Sequence, residues 1–317
     1  VHVFSSNDYL GLATHPALRA AWGQGAGSGS SRLIAGTRPA HLQLEAALEV
    51  RFGRPALVFS SGYQANLAVL TTLLDASTVV GSDRLNHASI IDGLRLSSAK
   101  VNVVEHGVAS QSVDVQVVEG LYSMDGDTLD LTIYSSAILF VDEAHSVGCL
   151  GPEGRGVGAK QGVTPEVIVG TFGKAYGAAG AFVICSQDAK DLLISMGRSF
   201  VYTTALAESA CRAALVGLTL ANQDRRDQLA ENTLRFRRGL ARIGLSTLGS
   251  AHIVPVVLGS GTLAAAAQLL EAGFFVPGIR YPTVEKGLER LRFSLSAAHS
   301  FEQIDAVLEA LDECCSS

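Results

Sequence analysis

Up to about Asp224, short apolar runs rich in β-branched residues alternate with longer stretches whose apolar positions recur at helical spacing. Ala56–Ser60, Val101–Glu105, Ala137–Asp142 and Val167–Gly170 are predicted as buried strands, followed by Ala181–Cys185. Thr37–Phe52 and Gln64–Leu74 carry the helical pattern between them. Such alternation predicts a mostly parallel sheet with helices on both faces. Beyond Asp224 the texture changes. Gln228–Ile243 is an Arg-rich amphipathic helix, Ile253–Leu258 a strand, Thr262–Ala272 a helix, Arg290–Leu295 a strand and Phe301–Leu311 a closing helix. The expected architecture is therefore a large α/β domain with a smaller C-terminal α+β domain. Its expected divisions are an N-terminal segment and substrate-side loop over 1–36, the large domain over 37–215 and the small domain over 216–317.

One spacing conflicts with that pattern. A parallel crossover needs roughly a dozen residues or more, yet only Leu131–Ser136 separates the Ser123–Asp130 region from Ala137–Asp142, and the segment after His106 is also short. Either these connections are unusual or internal residues have been lost, and loss is the favoured reading.

Composition narrows the class. With 317 residues, 48% hydrophobic and 17% charged, the chain has ample apolar surface to bury and is not disordered in bulk. A formal charge of −6 leaves no basic footprint for nucleic acid or an anionic membrane. The arginines clustered at 225, 226, 235, 237, 238 and 242 read as a solvated helix face before an anion surface. Five cysteines, with no zinc spacing and two adjacent near the tail, suit a reduced cytoplasmic protein. No run reaches membrane-span length and no signal peptide opens the chain. It begins at Val1 without methionine, which points to a missing true N-terminus.

Three segments carry candidate chemistry. Asp142-Glu143-Ala144-His145 closes an apolar strand, and ligands of open α/β sheets collect at the carboxyl ends of strands. Asp142 is there either a helix cap or the partner of a bound cation. Lys174 lies in the Gly-flanked turn Thr171–Gly177 at the next strand end. It is a candidate Schiff-base former, because burial would free the amine; the bland alternative is an exposed turn lysine. A strand-end carboxylate with a nearby histidine, then Thr-x-x-Lys, suits pyridoxal 5'-phosphate (PLP). Ser60–Asn66 is a strand-to-helix junction whose free N–H groups suit a phosphate, or else a plain N-cap. The glycine-rich Gly25–Ser31 follows no strand and so lacks the context of a dinucleotide loop; it reads as a flexible substrate-side loop. His2, His15, His41, His106, His252 and His299 lack partners at ligand spacing, and no metal is implied.

These motifs and their order resemble the α-oxoamine synthases, fold-type I PLP enzymes. The resemblance runs nearly end to end, through Phe4–Leu12, Gly25–Thr37, Ser61–Tyr63, Asp83–His87, Ser123–Asp127, Asp142–Gly148, Thr171–Gly177 and Arg290–His299. It implies a PLP-dependent homodimer with shared active sites, joining an amino acid to an acyl-CoA or acyl-carrier-protein thioester. The opening segment, Asn86–Gly93 and Ser294–His299 favour the branch that condenses L-alanine with a pimeloyl thioester. Tyr281–Val284 with Glu289–Phe293 is similar to the glycine and succinyl-CoA branch, and Asp142–Ser146 to the serine and long-chain acyl-CoA branch.

By motif position, the resemblance implies that Lys174 carries the cofactor and moves the Cα proton. Asp142 keeps the pyridine nitrogen protonated, His145 contacts the ring hydroxyl and His87 stacks on the ring. The amides of Gly62 and Tyr63 and the Thr171 hydroxyl take the phosphate, with Thr203 or Thr204 reaching the partner subunit's phosphate. Ser123 lines the cofactor pocket, and Arg292, with Asn7 nearby, binds the amino-acid carboxylate. The chain is expected to lack the family's N-terminal extension, where part of the acyl-binding surface would lie. A non-catalytic subunit of such an enzyme is the rival from another class; it is expected to lose the aldimine lysine, which is retained here.

Overall fold

A computed structural model describes residues 1–23 and 25–316, so Gln24 of the N-terminal segment and Ser317 lie outside the described residues. The strands are β1 (His2–Val3), β2 (Ala56–Phe59), β3 (Val79–Asp83), β4 (Lys100–Val104), β5 (Val115–Glu119) and β6 (Ile138–Asp142). They continue as β7 (Val167–Thr171), β8 (Ala181–Ile184), β9 (Ile253–Val257), β10 (Phe274–Phe275), β11 (Gly278–Ile279) and β12 (Arg290–Ser294).

Two units are resolved by contact. The larger comprises Leu12–Gly120 and Leu129–Asn222. Its seven-stranded sheet has the order β2-β8-β7-β6-β5-β3-β4. All neighbours are parallel except β8, which runs antiparallel to both β2 and β7. This is the fold-type I architecture, with helices packed on a mostly parallel sheet. Strands β2, β5, β7 and β8 are buried along their whole length; β2 and β8 are uninterrupted apolar runs, while β5 also buries Gln116 and Glu119. Leu57, Val69, Leu70, Val80, Val117 and Val183 belong to one core under the helix Gly62–Leu73. Each fully buried Leu or Val side chain contributes roughly 1.5–3 kcal/mol over an exposed one.

The spacing conflict before β6 has a simple origin. The strand before β6 is Val115–Glu119, not the Ser123–Asp130 region. The connection is therefore residues 120–137, longer than a crossover requires. Residues 105–114 link β4 to β5 in just under a dozen and contain no helix.

The smaller unit comprises Val1–Gly11, Leu121–Thr128 and Gln223–Ser317. Boundaries at 36 and 215 were expected, and the contacts draw the line elsewhere. Residues 1–11 join the C-terminal part because β1 pairs with β10, Ser294 N donates to Phe4 O at 2.7 Å and Ala297 N to Tyr9 O at 2.8 Å. Leu121–Thr128 joins it because Arg290 donates to Met124 O and pairs with Asp125. The sheet β11-β12-β9 is antiparallel throughout. Helices Gln223–Arg242 and Phe301–Ser316 pack closely at Gly239, where any Cβ would collide with Leu308.

Several arginines of the first helix are consumed locally. Arg225 donates to Leu10 O at 2.8 Å, Arg235 pairs with Asp305, and Arg237 donates to Thr247 Oγ1 and Ala251 O at 2.7 and 2.8 Å. Ser28, in the glycine-rich stretch expected to be flexible, is buried, with its hydroxyl donated to Leu206 O at 2.6 Å. Among the described residues no helix is long and apolar enough to cross a membrane.

Candidate active site

The carboxyl ends of β5, β6 and β7 and the first turn of the helix Gly62–Leu73 line one cavity of about 210 Å³ in the larger unit. Asp142, His145, Lys174, His87, Gly62, Tyr63 and Thr171, all singled out in the sequence, line it. Asn66, Ser89 and Glu119 face it as well and were not foreseen.

Asp142 ends β6 because the run Leu139–Val141 is committed to the sheet and the chain must then turn. Its Oδ1 accepts from Ala144 N at 2.9 Å, and its Oδ2 accepts from Asn66 Nδ2 at 2.7 Å. The turn that follows is held by Glu143, which is fully buried. Its carboxylate accepts from the Ser146 hydroxyl, from Val157 N at 3.0 Å and from Gly158 N at 2.8 Å. Burial pushes the Glu143 carboxyl above its ordinary range, and those three donors oppose the shift. His145 is thereby placed with its Nε2 2.9 Å from Lys174 Nζ.

Lys174 rides on a turn fixed at both ends. Phe172 N donates to Gly180 O and Ala178 N to Phe172 O, both at 2.9 Å, and Phe172 and Tyr176 are fully buried on either side. Gly177 closes the turn with φ +64°, and a Cβ there would lie 2.5 Å from Ala13 N. The Thr171 hydroxyl donates to Gly180 O at 3.0 Å and accepts from Gly173 N at 3.1 Å, so in this structure it serves the turn.

At the helix head, Ser61 Oγ accepts from Gln64 N at 3.2 Å. Gly62 and Tyr63 occupy the first two helical positions, whose N–H groups have no partner within a helix. A Cβ at Gly62 would meet nothing within 4 Å. The Tyr63 hydroxyl is bound to Asp92. Thr203 Oγ1 lies 3.4 Å from Gln64 Nε2, and Thr204 O accepts from Ser60 Oγ at 3.4 Å, so both threonines border this junction within their own chain.

Glu119 is buried at the end of β5, paired in register with Asp142. Burial, and then the negative charge of Asp142, drive its carboxyl well above its ordinary value, opposed by the His87 N–H that it accepts at 2.6 Å. A carboxyl raised in the folded state favours folding below its unfolded pKa and loses that contribution as pH rises through the folded one. Glu119→Gln is therefore expected to melt higher than wild type at pH 8 and no differently at pH 4. Equal melting temperatures at both pH values would show that Glu119 is not held protonated.

Asn7, Ser123 and Arg292 belong to the smaller unit. Arg292 is buried there, donating from Nε to Ser123 O at 2.5 Å and from Nη1 to Ser294 Oγ at 3.1 Å. Asn7 Oδ1 accepts the Tyr9 hydroxyl at 3.0 Å. Among the described residues no three His, Cys, Asp or Glu side chains are grouped to hold a metal ion.

An amine and a carboxylate at neighbouring strand ends, facing an open helix head across a small cavity, form a donor set that fits PLP. The chain belongs to the class I and II aminotransferase family, whose model matches residues 1–311. Within that class its resemblance is to 8-amino-7-oxononanoate synthases. The Alcanivorax borkumensis enzyme of that name is 44% identical over 340 residues, covering 98% of this chain and 88% of the relative. Among solved structures, 8-amino-7-oxononanoate synthase from Francisella tularensis superposes with a TM-score of 0.88 at 30% identity, covering all of this chain and 98% of that one. A serine palmitoyltransferase solved with PLP reaches 0.92 at 30% identity, covering 99% and 87%.

Proposed function

We propose that the chain is a PLP-dependent acyltransferase that condenses L-alanine with a pimeloyl thioester, giving 8-amino-7-oxononanoate for biotin synthesis. One new carbon–carbon bond forms, the thiol leaves, and the carboxylate of alanine departs as carbon dioxide. The observation that carries this reading is the shared cavity of Lys174 and Asp142 in a chain 44% identical to enzymes of that name. PLP, when bound, supplies the electron sink for a carbanion at Cα.

The chain's own groups supply the rest. Lys174 holds the cofactor and, when displaced, takes the proton from Cα and returns it, as a base within hydrogen-bond reach can. Asp142 presents a carboxylate to a cationic ring nitrogen, His145 a donor to the ring oxygen, and His87 a flat face to the ring. Gly62, Tyr63 and Thr171 take the phosphate; the Thr171 hydroxyl would have to leave Gly180 O to donate to it. Ser123 lines the cofactor side, while Arg292 with Asn7 binds the amino-acid carboxylate.

A homodimer with shared sites is supported by exposed apolar side chains on adjoining segments. Leu33, Ile34 and Tyr202 are 51%, 78% and 74% exposed, and the segments 32–36 and 198–201 touch. Thr203 or Thr204 would then serve the partner's phosphate. A cytoplasmic location is supported by five free cysteines, of which Cys185 and Cys211 are pushed by burial to about 11 and 12.

Incubation with PLP, a pimeloyl thioester and in turn L-alanine, glycine or L-serine, with the product read by mass, tests the reaction. Alanine as preferred substrate supports the proposal. The serine palmitoyltransferase likeness makes serine with a long-chain thioester the second reading, which the same assay repeated with a long-chain acyl thioester separates. Arg292→Ala is expected to raise KM for the amino acid by about tenfold or more, the worth of a charge-assisted pair, with a smaller change in kcat. An unchanged KM would remove Arg292 from substrate binding.

A further inference from the structure

Asp142 and His87 stand on different strand-to-helix junctions, and nothing bonds one directly to the other among the contacts described. Between them lie two buried polar side chains, Asn66 and Ser89, 4% and 1% exposed. Asn66 Nδ2 carries two hydrogens and uses both. One goes to Asp142 Oδ2 at 2.7 Å, the other to Ser89 Oγ at 2.9 Å. A carboxylate only accepts, so the amide orientation of Asn66 is forced. Ser89 Oγ, having accepted from Asn66, has its own proton for His87 Nδ1, 2.8 Å away.

The tautomer of His87 follows from a second bond. Ser89 N, in the first turn of the helix Ala88–Leu96, donates to the same Nδ1 at 3.2 Å. A backbone N–H can only donate, so Nδ1 holds the lone pair and Nε2 the proton. On its other side His87 is fixed through its own N–H to Glu119.

We propose that Asn66 and Ser89 are positioning residues that join Asp142 and His87 into one hydrogen-bonded unit, holding His87 as the Nε2–H tautomer. The roles given to Asp142 and His87 toward PLP rest on the proposed function; the relay itself rests on the four bonds. Cofactor grip and ring-face chemistry are thereby linked through two buried polar groups of the cavity wall. A loss at Asn66 reaches His87 through Ser89, which bonds to both.

The test is NMR of the full chain with nitrogen-labelled histidine, His87 being assigned by a His87→Gln variant. Wild type is expected to show an unprotonated Nδ1 and a protonated Nε2. In Asn66→Ala the His87 Nδ1 signal should move, and PLP should bind about tenfold more weakly, as for a lost hydrogen bond to a charged group. Ser89→Ala, a milder change should Asn66→Ala fail to fold, should move the same signal with PLP affinity kept within about twofold. Ser89→Thr, which keeps the hydroxyl, should restore it.

A protonated Nδ1 in wild type, or His87 signals indifferent to both alanine variants, would overturn the relay. Unchanged PLP affinity in Asn66→Ala would overturn its hold on Asp142. Failure to condense alanine with a thioester would sink the functional reading alone, because the ring-nitrogen signals do not depend on turnover.

Discussion

Lys174→Ala is expected to end turnover, with a fall of at least about 10³-fold, since one side chain is assigned both covalent attachment and proton transfer. The structural reason is that no neighbour can substitute. The turn bearing Lys174 is anchored by buried Phe172 and Tyr176 and closed at Gly177, so its register cannot slide to offer another group. His145, 2.9 Å from the amine, is held by a turn tied to buried Glu143. Because the lysine side chain lines a cavity rather than the apolar core, the melting temperature should stay within about 3 °C of wild type. Borohydride reduction of the PLP-loaded protein, followed by peptide mapping, should fix the cofactor on Lys174 in wild type and on nothing in the variant. Wild-type turnover by Lys174→Ala, or attachment at another lysine, would remove the central assignment.

Asp142→Ala should be the second most damaging change, lowering kcat by about 10²–10³-fold, the scale of a lost electrostatic stabiliser in a preorganised site. PLP affinity should weaken as well. A further effect follows from the pairing of Asp142 with Glu119. The Glu119 carboxyl is raised by burial first and by the Asp142 charge second. Without Asp142, Glu119 ionises at lower pH, and the stabilisation of Glu119→Gln at pH 8 should shrink in the double variant. Asp142→Asn keeps the shape without the charge. If it retained full activity, the carboxylate's charge would have no part in the chemistry. Paired melts and PLP titrations of the single and double variants separate these effects.

Three of the groups read from sequence share one property: each stands where an apolar run ends or a helix opens, and the family resemblance then selects among the roles such a position allows. Asp142 after Leu139–Val141, Lys174 after Val167–Thr171 and Gly62 after Ala56–Phe59 are of this kind. Glu119 escaped because β5, Val-Gln-Val-Val-Glu, is short and interrupted by Gln116, and no strand was read there. The lone acid closing that run before Gly120 was the available signal. Asn66 looks like an ordinary helix residue; only the packing of its helix on the sheet and on the helix Ala88–Leu96 brings it to Asp142 and Ser89. Domain limits were misplaced for a related reason. The partners of residues 1–11 lie in the last part of the chain, and no local pattern records so distant a pairing.

That division sets the order in which the chain can mature on the ribosome. Synthesis runs from the N-terminus, and units fold as their parts emerge. Every segment of the larger unit has emerged once Asn222 has cleared the exit tunnel. Residues 1–11 wait until the end of the chain is made, because β1 needs β10 and Phe4 O needs Ser294 N. A nascent chain stalled near Asn222 would therefore hold an assembled sheet with two pieces still waiting, residues 1–11 and the inserted stretch Leu121–Thr128.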